Sequence, residues 1–199
     1  MSPAQLGDLM AKFTPLQTHF NRYLMIGGFP ELVLSDDDAY AQRMLREDVV
    51  DKVIKRDVLS LFNIRSPLLM EKLFLYLCMN STEIFNATTA AKELENTSIA
   101  TIDSYIKALE MSNLIYLAKP IDVGSKGSLK GKPKIFIADA AIRNAVLMID
   151  DVLSDEKELG AMVETTVYKH MVSFYQGSPA QLGYFRKAKD NQKEVDVVV

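Results

Sequence analysis

Apolar side chains recur at three- and four-residue steps through the first third of the chain. Leu16, Phe20, Tyr23 and Leu24 share one helical face until Gly27, Gly28 and Pro30 break the pattern. Three consecutive aspartates, Asp36, Asp37 and Asp38, then suit a helix N-terminus, where carboxylates meet free backbone amides and the positive end of the dipole. An EF-hand loop would need a longer ligand ladder with a Gly and a distal Glu. In the helix that follows, Val49, Val50, Val53 and Ile54 make a buried stripe, while Arg43, Arg46, Glu47, Lys52, Lys55 and Arg56 charge the other faces. Residues 1–62 are therefore expected to be helical.

The pattern is clearest in the middle. Ser66 caps and Pro67 opens a helix whose Leu68, Leu69, Leu73, Leu75, Tyr76 and Leu77 assign it to the core. A short helix over 88–94 follows, then a third from Ser98, with Ile99, Ile102, Ile106 and Leu109 in step until Asn113 closes it. Residues 114–123 read as a strand, 124–133 as a basic loop and 134–138 as a second strand. Three helices and a hairpin in this order describe a winged helix-turn-helix. Residues 161–175 then form an apolar helix bearing Glu164. After a turn at Gln176, Gly177, Ser178 and Pro179 come strands over 182–187 and 194–199, parted by a polar turn at Asp190 and Asn191. The expected class is mainly α with short β, an α+β fold: N-terminal helices over 1–62, a winged helix over 63–138 and an α/β segment over 139–199.

Composition narrows the functions open to such a fold. Hydrophobic residues make up 48% and charged residues 25%, which excludes collagen-like, low-complexity and wholly disordered chains. Lys plus Arg is 23 against 26 for Asp plus Glu, a net charge of −3, so a uniformly basic nucleic-acid coat is excluded and a local basic patch is not. One Cys and two His are too few for a zinc ribbon or a disulfide scaffold, so any metal must sit on carboxylates. The longest apolar stretches, 68–79 and 135–148, fall short of the about 20 residues that cross a bilayer. No membrane association is expected. The first residues lack the basic start and cleavage site of a signal peptide, which with the lone thiol leads to the expectation of a reducing cytoplasm.

Candidate chemistry is sparse. A phosphate-binding P-loop needs glycine-rich backbone and Gly-Lys-Ser/Thr before a helix. The nearest string, Gly127-Ser128-Leu129-Lys130-Gly131-Lys132-Pro133, has other spacing, no such hydroxyl and a strand after it. It reads as the wing, where Lys126, Lys130, Lys132 and Lys134 against Asp122 could contact phosphates or simply be solvated. The outward positions of the third helix, taken as Ala100, Thr101, Asp103, Ser104, Lys107 and Ala108, offer no Arg, Asn or Gln for a base edge. The DNA contact expected is thus salt-sensitive and made to the backbone, by Lys126, Lys130, Lys132 and Lys107 with Ser98, Thr101, Ser104 and the Tyr105 ring. A protein partner or self-association through the same module is the alternative. Cys78, flanked by Leu77 and Met79, reads as a core thiol. His19 and His170 have no triad partner nearby in sequence.

The ordered set Tyr23-Leu-Met-Ile-Gly27-Gly28-Phe29-Pro30-Glu31, Lys55-Arg56-Asp57-Val58, Lys134-Ile-Phe-Ile-Ala-Asp139, Gly160-Ala-Met-Val-Glu164 and Tyr184-Phe185-Arg186 through Glu194-Val195-Asp196 resembles the C-terminal region of bacterial and archaeal AAA-type ATPases. That family ends in a PD-(D/E)XK nuclease-like module of unknown function, in which a helix glutamate and a strand aspartate hold magnesium and a Glu-X-Lys strand completes the site. The resemblance places Glu164 and Asp196 at the first two positions, as catalytic and metal-binding carboxylates of an inactive remnant. No Glu-X-Lys follows before Val199. Glu194 shares the strand face of Asp196 by alternation and could replace a ligand. Otherwise Glu164 is a capping residue or an ion-pair partner of Arg186 or Lys193. The resemblance implies a non-catalytic regulatory or DNA-contacting portion of a AAA-type ATP-binding protein, with ATP bound only through an upstream domain.

Overall fold

The computed structural model describes residues 3–121, 131–149, 152–186 and 194–199. It is an α+β fold. Helices α1 (Pro3–Phe13) and α2 (Gln17–Ile26) are joined by a single turn, Thr14–Leu16, with Pro15 setting its backbone. Gly27 stops α2 at φ 74°, a left-handed conformation that glycine adopts at no steric cost. After the short α3 (Pro30–Val33), the Asp37 side chain caps α4 (Asp38–Arg46) by accepting from the Tyr40 amide. The chain runs on without a break through a π-helical stretch, Glu47–Val58, into α5 (Leu59–Leu61). Ile54 is buried and Val53 packs partly against the core, as the stripe requires; the side chains of Val49 and Val50 lie outside the described set.

Side-chain caps start the central helices, at Ser66 and Ser98 where the sequence places them and at Asn86 where it names none. Ser66 accepts from the Leu69 amide to open α6 (Pro67–Met79), Asn86 caps α7 (Ala87–Glu93), and Ser98 caps α8 (Ile99–Met111). Each satisfies an amide that the first turn leaves unpaired. Strand β1 (Ile115–Pro120) follows, and β2 (Lys134–Ile137) pairs with it antiparallel, Ile115 opposite Ile137 and Ala118 opposite Lys134. Asp139 caps α9 (Ala140–Leu147), and Asp155 caps α10 (Glu156–Tyr175), which begins five residues before the expected start because that aspartate takes two amides, those of Lys157 and Glu158. Strands β3 (Gly183–Arg186) and β4 (Glu194–Val198) complete a four-stranded sheet in the order β2-β1-β3-β4.

The two strands of the hairpin are thus built into a larger sheet, and most of the expected wing loop, residues 122–130, lies outside the described residues. β1 pairs in parallel with β3. The approach is close enough that a Cβ on Gly183 would run into the Lys119 carbonyl. The outer edge of β2 is covered by the segment before α7, whose Thr82 and Phe85 amides bond to the Ile135 and Pro133 carbonyls at 2.8 Å each. Every residue of β2 is buried.

Alternation divides the sheet between two packings. Ile115, Ile135 and Ile137 join the main core with Leu73, Phe74, Leu77, Ile102 and Leu109 from α6 and α8, and Ala141, Ile142 and Ala145 from α9. On the other face Ala118, Phe136 and Tyr184 pack against Tyr168 of α10. The Phe136 and Tyr168 rings stack with centroids 4.2 Å apart, a contact worth about 0.5–1.5 kcal/mol beyond its buried area. Burial pushes the Tyr168 phenol up to about 12. Among the described residues no helix is long and apolar enough to cross a membrane.

Candidate functional site

Lys134 opens a strand that is otherwise apolar, and it is 4% exposed. It does not join a basic wing surface. Its register partner on β1 is Ala118. Partners across an antiparallel pair project to one face, and a methyl group there leaves room for the lysine stem to cross. The ammonium lies 5.7 Å from the centroid of the Tyr184 ring on β3, within cation–π range. It ends among three carboxylates: Glu164 Oε1 of α10 at 3.3 Å, Asp196 Oδ1 of β4 at 2.8 Å, and Glu194 of β4 in direct ion pair. Arg186 Nε stands 3.6 Å from Glu194, and the Tyr184 hydroxyl donates to the Lys132 carbonyl at 2.7 Å.

Burial alone would pull the lysine down, but hydrogen bonds to Asp196 and Glu194 and the nearby Glu164 charge outweigh it and hold the ammonium above the ordinary lysine range. Glu164 is raised instead, first by burial and then by Asp196 and Glu194, against the pull of Lys134. The lysine is firmly cationic at neutral pH, and burial works against the charge of Glu164.

The structure brings Glu164 and Asp196 together, but on a lysine. Their oxygens are hard donors of the kind magnesium prefers. The space they share is taken by the Lys134 ammonium, and among the described residues no three His, Cys, Asp or Glu side chains are grouped to hold a metal ion. As arranged, the set fits an internal cation. Of the partners expected of Glu164, Arg186 is with Glu194, and Lys193 lies outside the described residues.

Among the described residues, those expected to touch nucleic acid are not gathered on one basic face. Ser98 Oγ accepts from the Thr101 amide at 3.0 Å and lies 2.7 Å from Thr101 Oγ1, so both hydroxyls serve the cap of α8. Tyr105 corrects an expectation: its ring is 4% exposed and its hydroxyl accepts from the Ser66 amide at 3.0 Å, so it packs inside and is no stacking platform. Ala108, taken as outward, is buried as well. Ser104, Lys107 and Lys132 are exposed. Lys107 and Lys132 line a cavity of about 550 Å³ whose walls also carry Asp103 and Glu110, so the charges cancel. Lys126 and Lys130 lie outside the described residues.

A second cluster was not foreseen. Lys169 of α10 pairs with Asp139 and donates to the Tyr23 hydroxyl at 3.1 Å, and the same hydroxyl lies 3.1 Å from His170 Nε2. Asp139 also accepts from the Ala141 amide as the cap of α9. The cluster ties α2, α9 and α10 together. Cys78 is a core thiol, fully buried and raised by that burial.

The family model that matches this chain is described as a domain of unknown function, DUF8612, and covers residues 17–153. An uncharacterised protein of Haemophilus influenzae is 28% identical over 128 residues, 62% of this chain and 32% of its own length. An uncharacterised protein of Methanocaldococcus jannaschii is 27% identical over 158 residues, 77% of this chain and 33% of its own. The chain spans about a third of the length of these relatives. No solved structure matches. The family match runs from the start of α2 past α9, taking in Lys134 and Asp139 though not Glu164, Glu194 or Asp196, and with more than half of the chain inside it this protein belongs to the DUF8612 family.

Proposed function

We propose that this chain is a non-catalytic regulatory portion of a AAA-type ATP-binding protein, with a PD-(D/E)XK-like corner that serves as a structural ion-pair hub. The observation that carries this reading is the Lys134 ammonium between Glu164 and Asp196, which ties up the oxygens a catalytic metal would need. A lysine this buried and this well paired is poorly suited to accept a proton from water, because it stays an ammonium near neutral pH and has no free lone pair to take one. The sequence has no P-loop string, so nucleotide chemistry on this reading belongs to an ATPase portion. The relatives are about three times as long as the stretch they share with this chain, which leaves room for one. Incubation of supercoiled plasmid with the chain in magnesium or manganese tests the reading. Intact plasmid is expected. Cutting that disappears in Glu164→Ala and Asp196→Ala would replace it with a metal-dependent nuclease.

For the partner we favour protein over DNA. Asp103 and Glu110 offset Lys107 and Lys132 on the helix and hairpin surface, and the ring expected to assist a nucleic acid is buried. Duplex DNA held through its backbone remains the second reading, supported by exposed Ser104, Lys107 and Lys132. A gel shift over a salt series separates them: no retention at low salt removes DNA, and strong, steeply salt-dependent retention removes the preference for protein.

A further inference from the structure

Beside the lysine hub, α10 and β4 enclose an open groove of about 690 Å³. One wall is a helical face of α10, Leu159, Gly160, Val163 and Val167, at the three- and four-residue spacing of residues meant to be covered. Val167 is nevertheless 45% exposed, and a Cβ added to Gly160 meets no atom within 4 Å. The other wall is β4, with Asp196 and Val197. Among the described residues the strand partner of β4 is β3 on one side, so β4 is the edge of the sheet. An extended segment can add to such an edge with its backbone while its side chains fill the trough between strand and helix.

The charge of the groove selects its occupant. Glu156, Glu164 and Asp196 line it, and Asp196 keeps 53% of its side chain exposed despite its bond to Lys134. Among the described residues, one ammonium shared among Glu164, Glu194 and Asp196 leaves the hub with an excess of negative charge even after Arg186 is counted. A polyanion would be repelled here. We infer that the groove between α10 and β4 docks an extended segment of a partner protein in which Lys or Arg alternates with aliphatic residues, the aliphatic side chains lying on Val163 and Val167 and the cations on Asp196 and Glu156. This rests on the reading of the chain as a protein-contacting, non-catalytic portion, and names the partner chemistry of that corner.

Fluorescence anisotropy with the full chain and a labelled Lys–Val alternating octapeptide tests it, with a Lys–Ser octapeptide of equal charge and a Glu–Val octapeptide as comparisons. Saturable binding of Lys–Val alone is expected. It should weaken about tenfold or more in Gly160→Phe, which fills the trough from a position with open space, and in Val167→Lys, which reverses its polarity on an exposed site. Equal binding of Lys–Ser, unchanged affinity in both variants, or no binding of Lys–Val would each overturn the inference. Thermal melts of the two variants matching the parent keep a loss of affinity from being a loss of fold. If one variant does not fold, the other decides. The parent reading fails separately, by plasmid cutting, which leaves these affinities unmoved.

Discussion

Lys134 on β2 and Asp196 on β4 hydrogen-bond at 2.8 Å although two strands of the same sheet, β1 and β3, stand between theirs in the strand order. The lysine reaches across because Ala118 opposes it and because the Tyr184 ring receives its ammonium. This one side chain therefore joins the central hairpin to the C-terminal helix and strand. Removing it strands the carboxylates of Glu164, Glu194 and Asp196 against one another. Lys134→Met should cost about 3–5 kcal/mol, the usual penalty for breaking a buried pair by deleting one partner. Urea unfolding at neutral pH measures it; a loss under about 1 kcal/mol, the range of a surface pair, would show the hub to be idle.

The pH dependence of the hub has a definite sign. Glu164 is raised in the folded protein by burial, so the folded state holds that proton more tightly than the unfolded chain does. Its contribution to stability is present below the ordinary glutamate range, about 4.3, and is lost as pH rises through the folded value. Lys134, also raised, contributes in full below the ordinary lysine range and loses that contribution only in strong alkali. Glu164→Gln should therefore flatten the fall in stability over the weakly acid range while leaving the alkaline limb in place. Melting temperatures measured from weak acid to strong alkali check both limbs. An unchanged acid limb in the variant would assign the titration elsewhere.

Gly27 meets Asp139 in a way that fixes both. At φ 74° an added Cβ would stand 3.0 Å from Asp139 Oδ1 and 3.0 Å from the Phe29 ring. Asp139 has little freedom to retreat, since it caps α9 and pairs with Lys169. Gly27→Ala should thus combine backbone strain with a forced shift of that carboxylate, for a loss of about 1–3 kcal/mol. Calorimetric melting of Gly27→Ala beside Asp139→Asn measures it. Additive losses in the double variant would argue against the contact, because neighbours that share a partner do not add.

The starts of α4, α6 and α8 were legible in this sequence, because a cap is a local event: Asp37, Ser66 and Ser98 each needed only an amide three residues ahead. The resemblance set Glu164 and Asp196 side by side as metal ligands, and the structure sets them side by side on an ammonium. That cation was not legible. Lys134 sat next to a lysine-rich loop and looked like part of it, and only the sheet order shows that β2 is covered on both faces and on its edge. The available signal was a single charge at the head of the apolar run Ile135, Phe136 and Ile137. Tyr105 failed for the same reason in reverse: its helical position is compatible with either side, and its hydrogen bond to Ser66 spans 39 residues. The Tyr23–Lys169 contact, 146 residues apart, has no local signature at all.

The lysine and a divalent cation compete for one set of oxygens, and this makes the proposed inactivity testable by substitution. In the parent, magnesium must displace an ammonium held by Asp196, Glu194 and Glu164 and by the face of Tyr184. In Lys134→Ala the carboxylates lose their counter-ion, and although they are not grouped as metal ligands in the parent, a hard cation drawn between Glu164 and Asp196 is the natural replacement. A ligand that binds only the folded state raises its stability with concentration. Millimolar magnesium should therefore raise the melting temperature of Lys134→Ala and leave that of the parent almost unmoved. A further Asp196→Asn change should abolish the response. Equal responses in parent and variant would mean that the ammonium does not occupy the cation position, and the hub would then have to be read as a metal site with a lysine beside it.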